Sequence, residues 1–349
     1  MNDANDRDLI QKTVEEALGG AAREPWSEAW TVLQGLGFAF VGVAEELGGP
    51  GGALADLGAV LAAAGYAGSS VPLVEATALA PWLLSRVGLA HLAQHSIEHS
   101  RLPTVTVPRT VRSPLRLSRS GDGWRLSGVW RSLAWAPVAT DLVVLASGDD
   151  GTRLAMVPVD AVGVSVDAAE NLAAEPRGHV HFDATVIASG FVSDPVSEAT
   201  VDHLLERAAL CRSVAMCGAL RRVREMTVQY ATDRVQFGRP LRAFQAIQQH
   251  LADVEGWLRG AQIACAAAVA SSDPFAVASA VTWTSRAGRE VSRCAHQVHG
   301  AIGVTHELDL HRFTRRLLAW SCEHGNEAFW AARTTRLAGS NQPGAAWRS

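Results

Sequence analysis

The spacing of apolar residues changes twice along this chain, and each change separates one kind of structure from another. From residue 8 to about 103, apolar residues recur every three or four places between glycines, which is the period of an amphipathic helix. In RDLIQKTVEEALGG, Leu9, Ile10, Val14, Ala17 and Leu18 share one face, and Gly19 and Gly20 are the expected stop. At Pro103 the period drops to two. TVTVP, LRLSRSGDGWRLSGVW and TDLVVLASGDDGTRLAMVPV predict short strands and hairpins broken at Gly-Asp turns, in a β segment ending near Val192 to Pro195.

From about Ala199 the helical period returns. Phe244, Ile247, Leu251, Val254 and Leu258 recur at spacings of three and four, predicting the seam of a helix bundle. Asp273 is placed to cap the next helix, with Pro274 at its first position, where a missing N–H does no harm. Val277, Val281, Thr284, Ala287, Val291, Cys294 and Val298 form a second seam, and Gly300 is the expected stop. The class is α+β, in three parts: an N-terminal α-helical domain over 1–103, a middle β domain over 104–197 and a C-terminal helical bundle over 198–349. The tail SNQPGAAWRS is expected to fray.

Composition narrows the function. A chain of 349 residues with 48% hydrophobic content buries a large core. Its 31 basic against 35 acidic residues, net charge -4, offer no excess for gripping a nucleic-acid backbone. No apolar run approaches the roughly 20 residues that span a bilayer. The start MNDANDRDLIQ lacks the layout of a signal peptide, so a cytoplasmic enzyme without membrane association is expected. Cys211, Cys217, Cys265, Cys294 and Cys322 are odd in number and form no C-x-x-C pair, so all are read as reduced, buried thiols. His91, His95 and His99 lie along one helix side but too far apart for one ion to take all three, and no metal site is expected.

Two blocks carry specific chemistry, YATDRVQFGRPLRAFQAIQQHLADVEG from Tyr230 to Gly256 and CAHQVHGAIGVTHELDLHRFTRR from Cys294 to Arg316. With a third, LGFAFVGVAEELGGPGG from Leu36 to Gly52, they resemble the signatures of the acyl-CoA dehydrogenase family, Ala44 standing where the family's P-E-x-x-G-G-x-G turn has proline. The resemblance implies a helical domain, a β domain and a C-terminal four-helix bundle that binds FAD and assembles subunits. It also implies which residues meet the flavin. Arg234 would reach the diphosphate of a neighbour's FAD, with Gln236 and Phe237 beside it and Gln245 against the adenosine half. Gln297, Gly300 and Ala301 match a Q-x-x-G-G element that approaches the ADP portion, the second glycine being replaced by Ala301. His299, within that element, is read as a helix-surface residue. The family's T-E-P-x-x-G-S-D and W-I-T-N strings are absent, and Trp135 is out of register to replace the missing Trp.

Desaturating an acyl-CoA needs a carboxylate to take the α-proton while a hydride leaves for the flavin. In most of the family that Glu precedes Gly-Thr after the second block. Here the matching string is SCEHGNEAF and the matching residue is His324. A slip of one residue brings in Glu323, turned by about 100° on a helix. The family's other base position, about 28 residues before the Gln of QFG, is Ala208. Glu206, about 200° around the helix from it, is read as a solvated charge.

Retained flavin elements with both base positions lost resemble the short, base-lacking subunit of actinobacterial heterotetrameric, steroid-type acyl-CoA dehydrogenases. That resemblance implies an acyl-CoA substrate with a bulky acyl group, a second dehydrogenase subunit that supplies the base, and onward electron transfer to an electron-transferring flavoprotein. The alternatives are a homo-oligomeric dehydrogenase with an unusual base such as Glu323 or His324, and a flavin oxidase or monooxygenase on the same fold.

Overall fold

The computed structural model describes residues 3–21, 25–109 and 113–340. In chain order, helices α1 (Asp3–Ala21), α2 (Trp26–Gly35), α3 (Leu54–Ala67), α4 (Ala80–Arg86) and α5 (Ala90–Glu98) come first. Strands β1 (Pro103–Val105), β2 (Arg116–Ser120), β3 (Gly123–Ala134), β4 (Asp141–Gly148), β5 (Gly151–Pro158), β6 (Val164–Glu170), β7 (Pro176–Ala188) and β8 (Val192–Pro195) follow. Then come α6 (Glu198–Asp233), the two-residue strands β9 (Val235–Gln236) and β10 (Arg239–Pro240), and α7 (Gln245–Ser271), α8 (Pro274–His299), α9 (Leu310–Trp320) and α10 (Glu327–Ser340). Helices, then strands, then helices is the expected α+β order. The tail whose fraying was expected lies, beyond Ser340, outside the described residues.

One compact unit comprises Pro25–Leu57 and Ser70–Ala208. Its sheet runs β6-β7-β3-β2-β4-β5-β8, with β1 parallel to β4. The Gly-Asp turns read from the sequence do join β2 to β3 and β4 to β5. Leu117, Trp124, Leu126, Leu142, Val144, Val180 and Phe182 fill the sheet's core. Arg101 donates from both Nε and Nη2 to Asp141 at 2.6 Å, so the chain enters the sheet on a charge-assisted pair.

The sequence hid one feature of this unit. Leu73–Leu79 form a π-helix, all seven residues buried, Glu75 among them. Pro81 follows two residues into α4 and has no N–H, so the turn before it cannot close with ordinary i to i−4 bonds, and a wider turn relieves the clash of its ring.

The second unit comprises Met1–Glu24, Gly58–Ser69 and Ala209–Ser349. Helix α1 runs through Gly19 to Ala21 rather than stopping at the glycine pair. Val14 and Leu18 are buried as expected, but Leu9 is 65% exposed, one turn too early to reach the core. The α8 seam is buried throughout, and Asp273 caps the helix by accepting from Ala276 N at 2.9 Å. The α7 seam is buried only from Val254 on; Phe244, Ile247 and Leu251 are half-buried, which corrects the expected continuous seam. Cys211, Cys217, Cys265 and Cys294 are buried and outside any disulfide, whereas Cys322 is exposed, which corrects its reading as a buried thiol.

Helices α3 and α6 cross at glycines. A Cβ on Gly218 would lie 1.8 Å from Ala62 O, and one on Gly65 would lie 1.9 Å from Ala215 O. The crossing therefore has backbone against backbone and no room for a methyl group. A glycine on an open helix face behaves oppositely: a Cβ on Gly256 of α7 would meet nothing within 4 Å. Gly218→Ala is expected to lower unfolding free energy by about 2–3 kcal/mol through overpacking, whereas Gly256→Ala raises it by up to about 1 kcal/mol through helix propensity. Urea denaturation of the two variants checks the opposite signs.

Candidate functional site

Helix α6 ends where Arg234 N closes onto Tyr230 O at 2.9 Å, and the chain turns straight into the β9–β10 hairpin. Phe237 and Gly238 at its tip have φ of +53° and +78°, the pair of left-handed residues that a tight two-residue hairpin requires. Gly238 adopts this freely, but for Phe237 it is strained. Phe237 is also 91% exposed, so the structure holds a large aromatic ring in solvent at conformational cost. Phe244 braces the turn, lying 6.1 Å edge-on from Phe237 and 4.1 Å beneath the Arg239 guanidinium. With its amide oxygen turned to Arg234, Gln236 accepts from Nε at 3.3 Å and Nη2 at 3.0 Å. The neighbouring acid, Asp233, accepts instead from Gln229 at 2.7 Å.

The second block ends α8. Gly300 has φ of +62° and breaks the helix as expected. His299 is not on the surface: it is 5% exposed, its Nδ1 lies 2.8 Å from Ala295 O, and its ring stacks on Tyr230 at 4.4 Å. It turns inward because Tyr230 offers an aromatic face on the adjoining helix end, and burial pushes its imidazole below the ordinary range. Burial, followed by the charge of His311, does the same to His296, whose Nε2 lies 2.9 Å from Thr314 Oγ1.

The stack of Tyr230 on His299 draws together the ends of α6 and α8, and with them the two blocks, since Arg234 and Gly300 each follow within four residues. Arg234, Gln236, Phe237, Gln245, Gln297, Gly300 and Ala301 are all exposed. They offer a guanidinium, amides, an aromatic ring and open backbone at Gly300, where an added Cβ would meet nothing within 4 Å. This donor set suits the diphosphate and polar half of a dinucleotide. It is one open wall and not an enclosed pocket.

The base positions hold no poised carboxylate. Glu323 Oε2 lies 2.7 Å from Arg212 Nε, with side chains 11% and 7% exposed. Arg212 also rests on Trp320 at 5.2 Å, so the pair is packed as well as charged. At His324 the backbone carbonyl accepts from Trp330 Nε1 at 3.1 Å, and Gly325 has φ of +112° with Phe329 and Trp330 against it. Ala208 is fully buried. Glu206 is 6% exposed, which corrects its reading as a solvated charge: the face of α6 around it is covered and not open to water. Trp135 is a core residue, 2% exposed and edge-on to Trp26 at 5.7 Å, so it serves packing.

Two contributors escaped the sequence reading. Arg212 stands alone in the apolar run AALCRSVAM, a pattern that signals a buried cation with a partner. Tyr230 is one of only two tyrosines in the chain, and both, Tyr66 and Tyr230, sit at contacts between helices.

Comparison with known proteins places this geometry. Residues 199–333 match the acyl-CoA dehydrogenase C-terminal domain. The chain is 30% identical over 305 residues to the acyl-CoA dehydrogenase FadE27 of Mycobacterium tuberculosis, covering 82% of this chain and 81% of that protein. It superposes on a chain of the ChsE4-ChsE5 complex from Mycobacterium tuberculosis with TM-score 0.87 and 26% identity, covering 98% of each. The Tcur3481-Tcur3483 steroid ACAD shares the fold at TM-score 0.86 and 24% identity, over 97% of this chain and 99% of that one. The chain belongs to the acyl-CoA dehydrogenase family, oxidoreductases that act on CH–CH bonds with FAD as their cofactor.

Proposed function

We propose that this chain is the base-lacking subunit of a heteromeric acyl-CoA dehydrogenase that desaturates a CoA thioester between Cα and Cβ, the acyl group being a bulky one of steroid type. The observation that carries the proposal is the ion pair of Glu323 with Arg212. A base for α-proton removal must be free to reach the substrate, and a carboxylate 2.7 Å from a buried guanidinium is engaged in an ion pair. The partner chain then provides the base and most of the acyl pocket.

This chain's part is the flavin's polar half. FAD, when bound, supplies the hydride acceptor. Arg234, held by Gln236, would neutralise the diphosphate; Phe237 and Gln245 would cover the neighbouring surface, and the open backbone at Gly300 and Ala301 would admit the ADP portion. The exposure of all seven residues fits a site completed by another chain. The relative in the ChsE4-ChsE5 complex is itself seen with a differently named partner, which supports the same arrangement here. Electrons pass onward to an electron-transferring flavoprotein.

Purified alone, the chain is expected to carry well under one FAD per polypeptide by visible absorbance, and co-expression with its base-bearing partner should restore flavin to the complex. A full complement of flavin on the isolated chain, bleached by acyl-CoA, would instead establish a homomeric enzyme. In the complex, Arg234→Ala should weaken FAD retention by about tenfold or more, the loss of a charge-assisted contact worth roughly 1.5–3 kcal/mol.

Glu323→Gln separates base from structural ion pair. Expected is a loss of about 3–5 kcal/mol of stability, from leaving Arg212 buried and unmatched, with kcat of the folded complex changed by less than about threefold. A fall in kcat of a thousandfold or more, with the melting temperature unchanged, would make Glu323 the base.

A further inference from the structure

His250 and Asp253 of α7 and Cys294 of α8 each present a metal-ligating atom, and these atoms all lie within 4.8 Å of one another. Cys294 is fully buried, while His250 and Asp253 are half-buried at the margin of the α7–α8 contact. His250 Nδ1 is shielded from solvent and has no hydrogen-bond partner among the described residues. Asp253 Oδ1 accepts from Gln249 Nε2 at 3.0 Å, an arrangement that fixes a carboxylate while leaving lone pairs free. Arg293 Nη2 is 3.5 Å from Cys294 Sγ, and the same guanidinium donates from Nε to Glu290 at 3.0 Å, an alternative partner already in contact.

We propose that His250, Asp253 and Cys294 bind one divalent transition ion of the zinc class, which ties α7 to α8. One imidazole, one carboxylate and one thiolate form a mixed N, O, S donor set, the kind that zinc and cobalt accept and that magnesium and calcium, which require oxygen, do not. Geometry allows it. Ligands at about 2.0–2.3 Å around a tetrahedral ion stand about 3.3–3.7 Å from one another, so the three atoms need close in by only about an ångström from their present limit. His250 and Asp253 are three apart on one helix and so share a face. On binding, the Cys294 thiol gives up its proton to solvent and the sulfur lone pair takes the ion, while Arg293 stays with Glu290. Three protein ligands leave the fourth position to water.

This site differs from His91, His95 and His99, which the sequence analysis set aside, and it is independent of the heteromeric reading. Its third ligand comes from another helix, so no local motif announces it. The exposed thiol of Cys322 and the buried pair Cys217 and Cys265, with sulfurs 3.7 Å apart, are competing thiolate sources, which the Cys294→Ser variant distinguishes.

The test titrates tag-free, chelator-treated full-length chain with cobalt(II), then zinc, following absorbance and heat. Expected are one cobalt per chain, a near-ultraviolet thiolate charge-transfer band with the intense visible bands of tetrahedral cobalt, and displacement by zinc but not magnesium. Cys294→Ser should abolish the charge-transfer band, and His250→Ala and Asp253→Asn should each weaken binding by about tenfold or more. Circular dichroism shows that each variant is folded, and Asp253→Asn, at a half-buried position, keeps the test open if Cys294→Ser does not fold. No saturable binding, a charge-transfer band that persists in Cys294→Ser, or an unchanged affinity in Asp253→Asn would each overturn the proposal.

Discussion

Helix α6 fixes the second unit because its repeat decides which side chains face which neighbours. Arg212 and Tyr230 are 18 residues apart, about five turns and 27 Å along a straight helix, so they lie in line on one side. That side meets Glu323 at one end and His299 at the other. Gly218, Arg221 and Glu225 lie on the opposite side, where Gly218 admits the α3 backbone, Arg221 pairs with Glu15 of α1 and Glu225 accepts from Tyr66 of α3 at 2.6 Å. A break in α6 between Arg212 and Tyr230 would rotate these contacts out of phase. The length of the rod is therefore a requirement of the fold, and the Phe237 turn inherits its position from Tyr230 at the far end.

The same helix carries a buried charge that the bundle has to match. A charge inside a bundle has to be matched, and the partner of Arg212 is the carboxylate beside the family's base position. Such a pair adds little net stability compared with apolar packing, yet removing either member is costly. It is retained once present. At the other end of α6 the situation is reversed: Phe237 is strained and almost wholly exposed, with the edge-on Phe244 ring beside it. One end of the helix has its charge paired within the bundle, and the other presents an exposed aromatic ring and guanidinium.

What the sequence made legible follows from how local each signal is. The Asp273-Pro274 start, the Gly300 stop, the Gly-Asp hairpins and the α8 seam depend on residues within a few positions of one another, and each was readable. The residues proposed to meet the flavin stand out only through family resemblance, since an exposed Arg or Gln has no intrinsic mark. His299, Glu206 and Leu9 were misplaced because burial depends on what another segment brings. A stacking Tyr230 buries His299, a covered face of α6 buries Glu206, and Leu9 is left mostly exposed among the described residues. The π-helix was invisible for another reason: Pro81 forbids an ordinary turn without saying which alternative replaces it.

The gradient of burial along α7 joins these threads. Val254, Leu258, Ala261, Cys265 and Ala268 are buried, but one and two turns earlier Leu251, Ile247 and Phe244 are only half-covered. An amphipathic helix with a half-wetted apolar stripe gains less from packing there than its sequence allows, so that half of α7 is the part of the bundle most open to added stabilisation. Two sources meet at that place. A second chain could cover the half-wetted stripe of Phe244, Ile247 and Leu251, and an ion held by His250, Asp253 and Cys294 would fasten the same turns to α8 from the inner side. The two act on different surfaces of one helix. Either one, by holding α7 steady, would also steady the strained Phe237 turn that feeds into it.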